Sequence, residues 1–491
     1  MSITGKRFPD LLNRFQYPLL LLLILPPLFF DLGGLTIRLW DESRLVGNTI
    51  EMYHNHNYLV TYFDGTPDLW NTKPPLMIWM HLLMVKLFGF NEWSFRISSA
   101  LFAALTCIYL YCFSKRQTNS VGLAFLAVFI LITTRGFVDL HVSRTGDYDA
   151  LLIYWSLLAM GSLYRYLQED NTRSLYYFAL FLGLAVLTKG PMVLLFGPAI
   201  LVYILYRKKL FQLLRSGHTY AAILLFLIIA LPYYFIREQY NPGYLQAVYD
   251  NELGGRFLTV LEERGGAWHY YLEGMTGRNF MFWFLFIPLG IYWLLKERNT
   301  AIQHYISFCS IIGSMYFIMI SAARTKHGWY DAPAYPFFAV LVAYAIITSL
   351  KWAHESGRTR WKTVSINIFF CLLFIAAYSL IWIENIVNRN PEKGISRYDI
   401  AYYIKEQKSI PVDSLYVWEY GYMPTSYLYF EQIRQKGGAV LMVDRNNLPL
   451  NKPIWIQHDS LFRTLEADTN LKLEITDSFY NLKIFKIKPG Q

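Results

Sequence analysis

The chain has 491 residues, of which 54% are hydrophobic, 18% aromatic and only 16% charged. A soluble globular domain carries about 25% charged residues, so a water-soluble protein is excluded. The net charge of +10 resides mainly in short gaps between apolar stretches; no basic stripe marks a soluble domain, which excludes nucleic acid as a partner and points to a membrane-orienting signal.

In chain order, apolar stretches predict eleven spans, at 17–34, 96–113, 120–134, 150–164, 174–188, 191–206, 219–236, 279–295, 303–322, 332–350 and 363–384. Several are shorter than the ~20 residues a helix needs to cross hydrocarbon. The stretch 75–88 is also apolar but carries His81 and Lys86, and reads as a helix lying in the interface. With the N-terminus inside, the inner segments hold 17 Lys and Arg and the short outer loops at 135–149, 189–190 and 323–331 hold five. This asymmetry sets the orientation. It places 35–95, 237–278 and the tail after about residue 386 on the outer face.

The predicted fold is mainly α: a membrane domain over 1–386, with outer loops 35–95 and 237–278, then a small outer α/β domain over 387–491. In that tail, Ser414–Tyr420, Gly438–Val443, Pro453–Gln457 and Leu471–Ile487 contain strand-like runs, and Ser396–Lys408 and Pro424–Lys436 look helical. Cys107, Cys112, Cys309 and Cys371 all lie in apolar spans and imply no disulfide framework.

The polar chemistry gathers in the outer segments. Asp41-Glu42-Ser43-Arg44 follows the first span. Two carboxylates beside an arginine suit a general base with an orienting or phosphate-binding cation; equally, Asp41 would cap the helix that follows and Glu42 suit its first turn. Asn71-Thr72-Lys73-Pro74-Pro75 opens the interfacial helix and leaves Lys73 beside free N–H groups. Arg144 and Asp149 flank the mouth of the fourth span, where a carboxylate requires a partner or a function. Leu187-Thr188-Lys189-Gly190-Pro191 turns between two spans and pins Lys189 at the boundary, as a snorkelling lysine or a phosphate ligand. The loop 237–278 carries Asn251-Glu252, Arg256, Arg264 and His269, and Arg324-Thr325-Lys326 leads to Trp329-Tyr330. His269 has no metal-ligand spacing around it.

In their order and spacing, these motifs resemble the bacterial lipid A aminoarabinose transferases and the wider polyprenyl-phosphate-dependent glycosyltransferases, with protein O-mannosyltransferases more distant. The resemblance rests on Asp41-Glu42-Ser43-Arg44, Lys73-Pro74-Pro75-Leu76, Asn91-Glu92 with Arg96, Arg144 with Asp149-Ala150, Leu187 to Pro191, and Lys326 to Tyr330 with Pro333 and Pro336. It covers residues 15 to about 350. It implies the class C glycosyltransferase fold and a polyprenyl-phosphate sugar donor, with a glycan, lipid or protein acceptor. It implies that Asp41 is the catalytic carboxylate. Lys73 and Lys189 would hold the donor phosphate with Arg44 and Lys326, and Glu42, Arg144, Asp149, Arg256 and Tyr330 would support the site. The positions associated with a metal in aminoarabinose transferases are Thr72 and Leu253 here, so no metal or other cofactor is expected and a different sugar or acceptor is implied. The expected location is a bacterial inner membrane, with site and tail domain periplasmic. The rival expectation, a transporter or flippase of a lipid-linked sugar, requires ionisable groups at mid-membrane.

Overall fold

The structure is a computed structural model. It describes residues 7–139, 141–254, 260, 264–355, 360–384, 392–407, 414–418, 423–468 and 471–488, without the side chains of 7–13, 253, 360–363, 407 and 459.

Every predicted span falls on a helix. In order these are α1 (Arg7–Phe29), α2 (Asp41–Asn55), α3 (Leu76–Phe88), α4 (Glu92–Thr118), α5 (Val121–Ile132), α6 (Asp149–Glu169), α7 (Thr172–Lys189) and α8 (Gly197–Tyr206). They continue with α9 (Gly217–Tyr240), α10 (Met281–Lys296), α11 (Thr300–Ala322), α12 (Ala332–Glu355) and α13 (Arg360–Trp382). Six helical runs are long and apolar enough to cross a membrane, a seventh if Tyr270–Asn279 and α10, which meet at 116°, count as one span. The chain is an integral membrane protein.

By length alone Thr172–Tyr206 is a single run of 35 residues, which as one α-helix would extend about 52 Å. It does not extend. Lys209, just past its end, meets Asp170, just before its start, at 2.6 Å. The chain therefore doubles back at Gly190, whose φ of +67° is a left-handed turn that glycine adopts without steric cost. Residues 172–206 are thus two antiparallel legs, as the two predicted spans require.

The helix ends sort into two faces. At one end Lys115 binds Gln16, Gln168 binds His304, and Tyr206 binds Ser307. These residues come from predicted inner ends. The predicted outer loops meet at the other end, where Glu42 accepts from Gly146 N–H and Lys189 reaches Asp149. Helix α3 stays on that outer side: Lys73 precedes it at the site, and Phe90 past its far end accepts from Gln432 of the tail domain.

A short antiparallel hairpin pairs β1 (Tyr62–Phe63) with β2 (Thr66–Pro67). The tail contributes β3 (Leu415–Trp418), β4 (Val440–Val443), β5 (Ile454–Ile456), β6 (Lys472–Phe479) and β7 (Leu482–Lys488), in one sheet of order β4-β3-β5-β7-β6 with β3 parallel to β4 and β5. Strands β6 and β7 are an antiparallel hairpin. The single strand-like run 471–487 is thus two strands, folded at Tyr480, which takes φ +51°. The domain docks on the outer face. Tyr429 and Lys405 both bind Glu92, Lys405 also reaches the Gly33 carbonyl at 2.7 Å, and Leu39 N–H donates to Tyr398 at 2.9 Å.

Candidate active site

Helix α2 opens on Trp40 at φ +80° with no side-chain cap. Asp41 therefore does not cap the helix; it is the first helical residue and lines a narrow outer cleft with Trp40, Trp70, Lys73, Lys189 and Tyr330. Glu42 points the other way. It is 1% exposed and accepts from Arg96 at 2.7 and 2.9 Å, from Arg38 N–H at 2.8 Å and from Gly146 N–H at 2.9 Å. Burial alone would raise the Glu42 carboxyl, but the Arg96 charge and these hydrogen bonds hold it below the usual range. Glu42 pins the start of α2 to α4 and the 141–147 loop.

Arg44 lies one turn on and is committed elsewhere. Its guanidinium makes a bidentate pair with Asp68 at 2.8 and 2.6 Å and lies 3.5 Å from the centroid of the Phe63 ring. Asp68 also accepts from Asn48, Asn48 from Asn71, and Asn71 from Tyr148. This chain of polar groups fixes the segment that delivers Lys73 to the cleft. The Lys73 ammonium is 3.3 Å from Glu252.

Lys189 ends α7, and its ammonium reaches both oxygens of Asp149, the first residue of α6, at 2.7 Å. It also lies 5.1 Å from the Tyr330 ring centroid. Arg144 is not at the cleft: it donates to the Pro27 and Phe30 carbonyls at 2.7 and 2.9 Å and so caps the end of α1. Lys326 donates to the Ile320 and Ser321 carbonyls at the end of α11, a favourable place for a cation, and lines a neighbouring vestibule of about 510 Å³. Burial lowers its ammonium. Arg264 lines both spaces and contacts His327 at 3.0 Å.

Among the described residues the structure thus brings Asp41, Lys73, Lys189 and Tyr330 to one cleft, with Asp149 behind Lys189. Arg44, Glu42 and Arg144 buttress it, and Arg256 lies outside the described residues. His269 pairs with Glu273. The sequence marks Asp147 only as a member of the Arg144–Asp149 cluster and Glu252 only as part of the long outer loop, and it gives Asp68 and His141 no role. His141 stacks on Trp329 at 3.8 Å, and burial lowers its imidazole to about 4. Burial, with the Asp41 and Glu42 charges next, raises the Asp147 carboxyl well above the usual range. A local signal existed for Asp147, a carboxylate two residues before Asp149 in a loop; none existed for Asp68 and Glu252, whose partners are 24 and 179 residues away. At one of the two positions associated with a metal in aminoarabinose transferases, the Thr72 hydroxyl donates to Glu252 at 3.1 Å, and Glu252 is shared with Lys73.

The whole fold defines a class. It matches the crystal structure of ArnT from Cupriavidus metallidurans bound to undecaprenyl phosphate with a TM-score of 0.70 at 17% identity, over 97% of this chain and 98% of that one. The chain has the class C glycosyltransferase fold. Residues 72–236 match the family model described as dolichyl-phosphate-mannose-protein mannosyltransferase. Among individual relatives, an undecaprenyl phosphate-alpha-4-amino-4-deoxy-L-arabinose arabinosyl transferase of Shewanella sediminis is 27% identical over 74% of this chain and 66% of its own. One of Pseudomonas fluorescens is 25% identical over 70% and 62%. An uncharacterized protein of Aquifex aeolicus is 24% identical over 73% and 69%. The chain spans about two thirds of the length of these curated relatives. It is thus similar in sequence to arabinosyl transferases that use undecaprenyl phosphate, the resemblance its motifs imply, and shares the fold of the solved one.

Proposed function

We propose that this protein is a membrane glycosyltransferase that moves a sugar from a polyprenyl-phosphate carrier to a hydroxyl or phosphate acceptor on a lipid, other glycan or protein. The observation that carries this reading is one carboxylate, Asp41, lining the same cleft as two buried ammonium groups, Lys73 and Lys189. With a hydroxyl acceptor, its oxygen forms a bond to the anomeric carbon as the bond from that carbon to the carrier phosphate breaks. The hydroxyl proton goes to Asp41. The bonding pair leaves with the phosphate, whose developing charge the two lysines stabilise. A single displacement of this kind inverts the anomeric centre.

Each lysine already faces a carboxylate, Glu252 or Asp149. An ammonium has three N–H donors, so these partners aim it and leave donors for phosphate oxygens. Arg264 joins them as a third cation at the cleft, whereas Arg44, Arg144 and Glu42 act as positioning residues. The vestibule behind Arg264, also lined by Arg38, Arg278 and Lys326, gives the acceptor a route in. The lipid tail of the donor contributes binding energy from the membrane, at about 0.8 kcal/mol per buried CH₂. The site and tail domain face the periplasm of a bacterial inner membrane in this reading.

A flippase is less well supported: Asp149, Lys189 and Arg96 lie at or near the outer ends of α6, α7 and α4, away from mid-membrane. The test uses membranes containing the protein, a radiolabelled polyprenyl-phosphate sugar and a native glycan and lipid extract. Label should move to a new acceptor with the wild type, and Asp41→Asn should lower the rate by about 10²–10⁴-fold. Label crossing the bilayer on its original carrier would refute the transferase.

A further inference from the structure

Beside Asp41 lies a group of side chains that the transfer chemistry above does not use. One ligand atom each of Asp41, His141 and Asp147 lies within 4.8 Å of the other two. Asp147 is 1% exposed, yet its Oδ1 has no hydrogen-bond partner. The buried Nδ1 of His141 has none either, and is 3.6 Å from Asp147 Oδ2, too long for a hydrogen bond. Orphaned buried polar atoms are rare and mark an ion or water that belongs there.

The cations nearby have carboxylates of their own: Lys189 is paired with Asp149, Arg96 with Glu42 and Arg38, through Nη2, with Glu392, while Arg38 Nη1 is buried without a hydrogen-bond partner. The loop is held in shape for this group: His141 takes φ +70°, a left-handed conformation that strains a residue with a Cβ. Thr145 fixes it twice, accepting from His141 N–H at 2.7 Å and donating to Asp147. Trp329 stacks on the imidazole and limits its rotation.

We propose that Asp41, His141 and Asp147 form a binding site for one divalent transition-metal ion of the zinc or manganese type. One imidazole nitrogen and two carboxylate oxygens are a donor set these ions take. Ligand bonds of about 2.0–2.2 Å place two donors of one ion roughly 3–4 Å apart, so the group closes onto an ion through a shift of about 1 Å. Three protein ligands leave an open position for a substrate oxygen in the cleft. The ion is therefore held between Asp41 and loop 141–147, by residues other than those at the Thr72 and Leu253 positions. The proposal does not rest on the transferase reading, with which it shares only Asp41.

The full-length protein, purified in detergent and stripped with a chelator, is titrated with Mn²⁺ followed by electron paramagnetic resonance and with Zn²⁺ followed by elemental analysis. No donor or acceptor is present, so a failure of the transferase reading leaves the result standing. Wild type should bind one equivalent. His141→Ala and Asp147→Asn should each weaken binding at least about tenfold, the lower end of what even outer-shell losses cost. Thr72→Ala should leave metal binding unchanged. Gel filtration checks that the variants remain folded. Wild type binding no ion at millimolar concentration overturns the proposal, whatever the variants do. So does binding that folded His141→Ala and Asp147→Asn retain in full.

Discussion

Asp41 and Glu42 are adjacent, and a helix turns adjacent side chains about 100° apart, so one faces the cleft and the other the packed interior. Removing each should have a different consequence. Glu42→Ala would leave the Arg96 guanidinium buried with only the Leu32, Leu35 and Thr36 carbonyls. Breaking a buried pair in this way costs about 3–5 kcal/mol, so thermal unfolding in detergent should fall well below wild type. Asp41→Asn should unfold with wild type and lose transfer. Equal stability of Glu42→Ala and wild type would show that the pair does not hold α2. Asp331 supplies a pH dependence. It is buried outside the span that follows, accepts from Tyr335 at 2.5 Å and Asn279 at 2.8 Å, and burial pushes its carboxyl up to about 7. A carboxyl raised above its unfolded value of 3.8 stabilises the fold fully below about pH 4 and loses that contribution as pH rises through about 7. The apparent Tm of wild type should therefore drop between pH 5 and pH 8 by more than that of Asp331→Asn.

At the scale of elements, the turn at Gly190 decides where Lys189 points. A side chain there would have to adopt φ +67°, with its Cβ 3.2 Å from the Tyr234 hydroxyl. Gly190→Ala should cost about 1–2 kcal/mol and lower transfer more than stability, because the misplaced residue is the neighbouring lysine proposed to hold the donor phosphate. Measuring the melt and the rate on one preparation separates the two, and a rate unchanged from wild type would release Lys189 from that role. This turn was legible in the sequence as Lys-Gly-Pro between two apolar runs. The fates of the charged side chains were not. Arg44 and Arg144 read as site cations because a local motif cannot reveal that Asp68 or the end of α1 will claim them. The β6–β7 hairpin escaped for a similar reason: it turns at Tyr480-Asn481, without the glycine that usually announces a tight turn.

For the molecule as a whole, the tail domain does more than cover the outer face. It grips the segment between α1 and α2 that leads into Asp41, through Lys405 on the Gly33 carbonyl and Tyr398 on the Leu39 N–H. It holds α2 from the other side, where the Tyr427 ring packs at a tilt against Phe63 under Gly47. Glu92, at the start of α4, anchors both Lys405 and Tyr429. The carboxylate proposed as the base, Asp41, is thus braced between the membrane helices and a domain more than 300 residues later in sequence. Loosening the brace should act on rate and spare donor binding, since Lys73 and Lys189 are held by other contacts. Tyr398→Phe removes the one side-chain acceptor of Leu39 N–H, a loss of about 0.5–1.5 kcal/mol and so up to roughly tenfold in rate. The expected result is a lower kcat with KM for the polyprenyl-phosphate sugar unchanged, and faster hydrogen exchange at Leu39. An increase in KM alone would mean instead that the domain acts on the donor, and the brace would have to be assigned to the lysines.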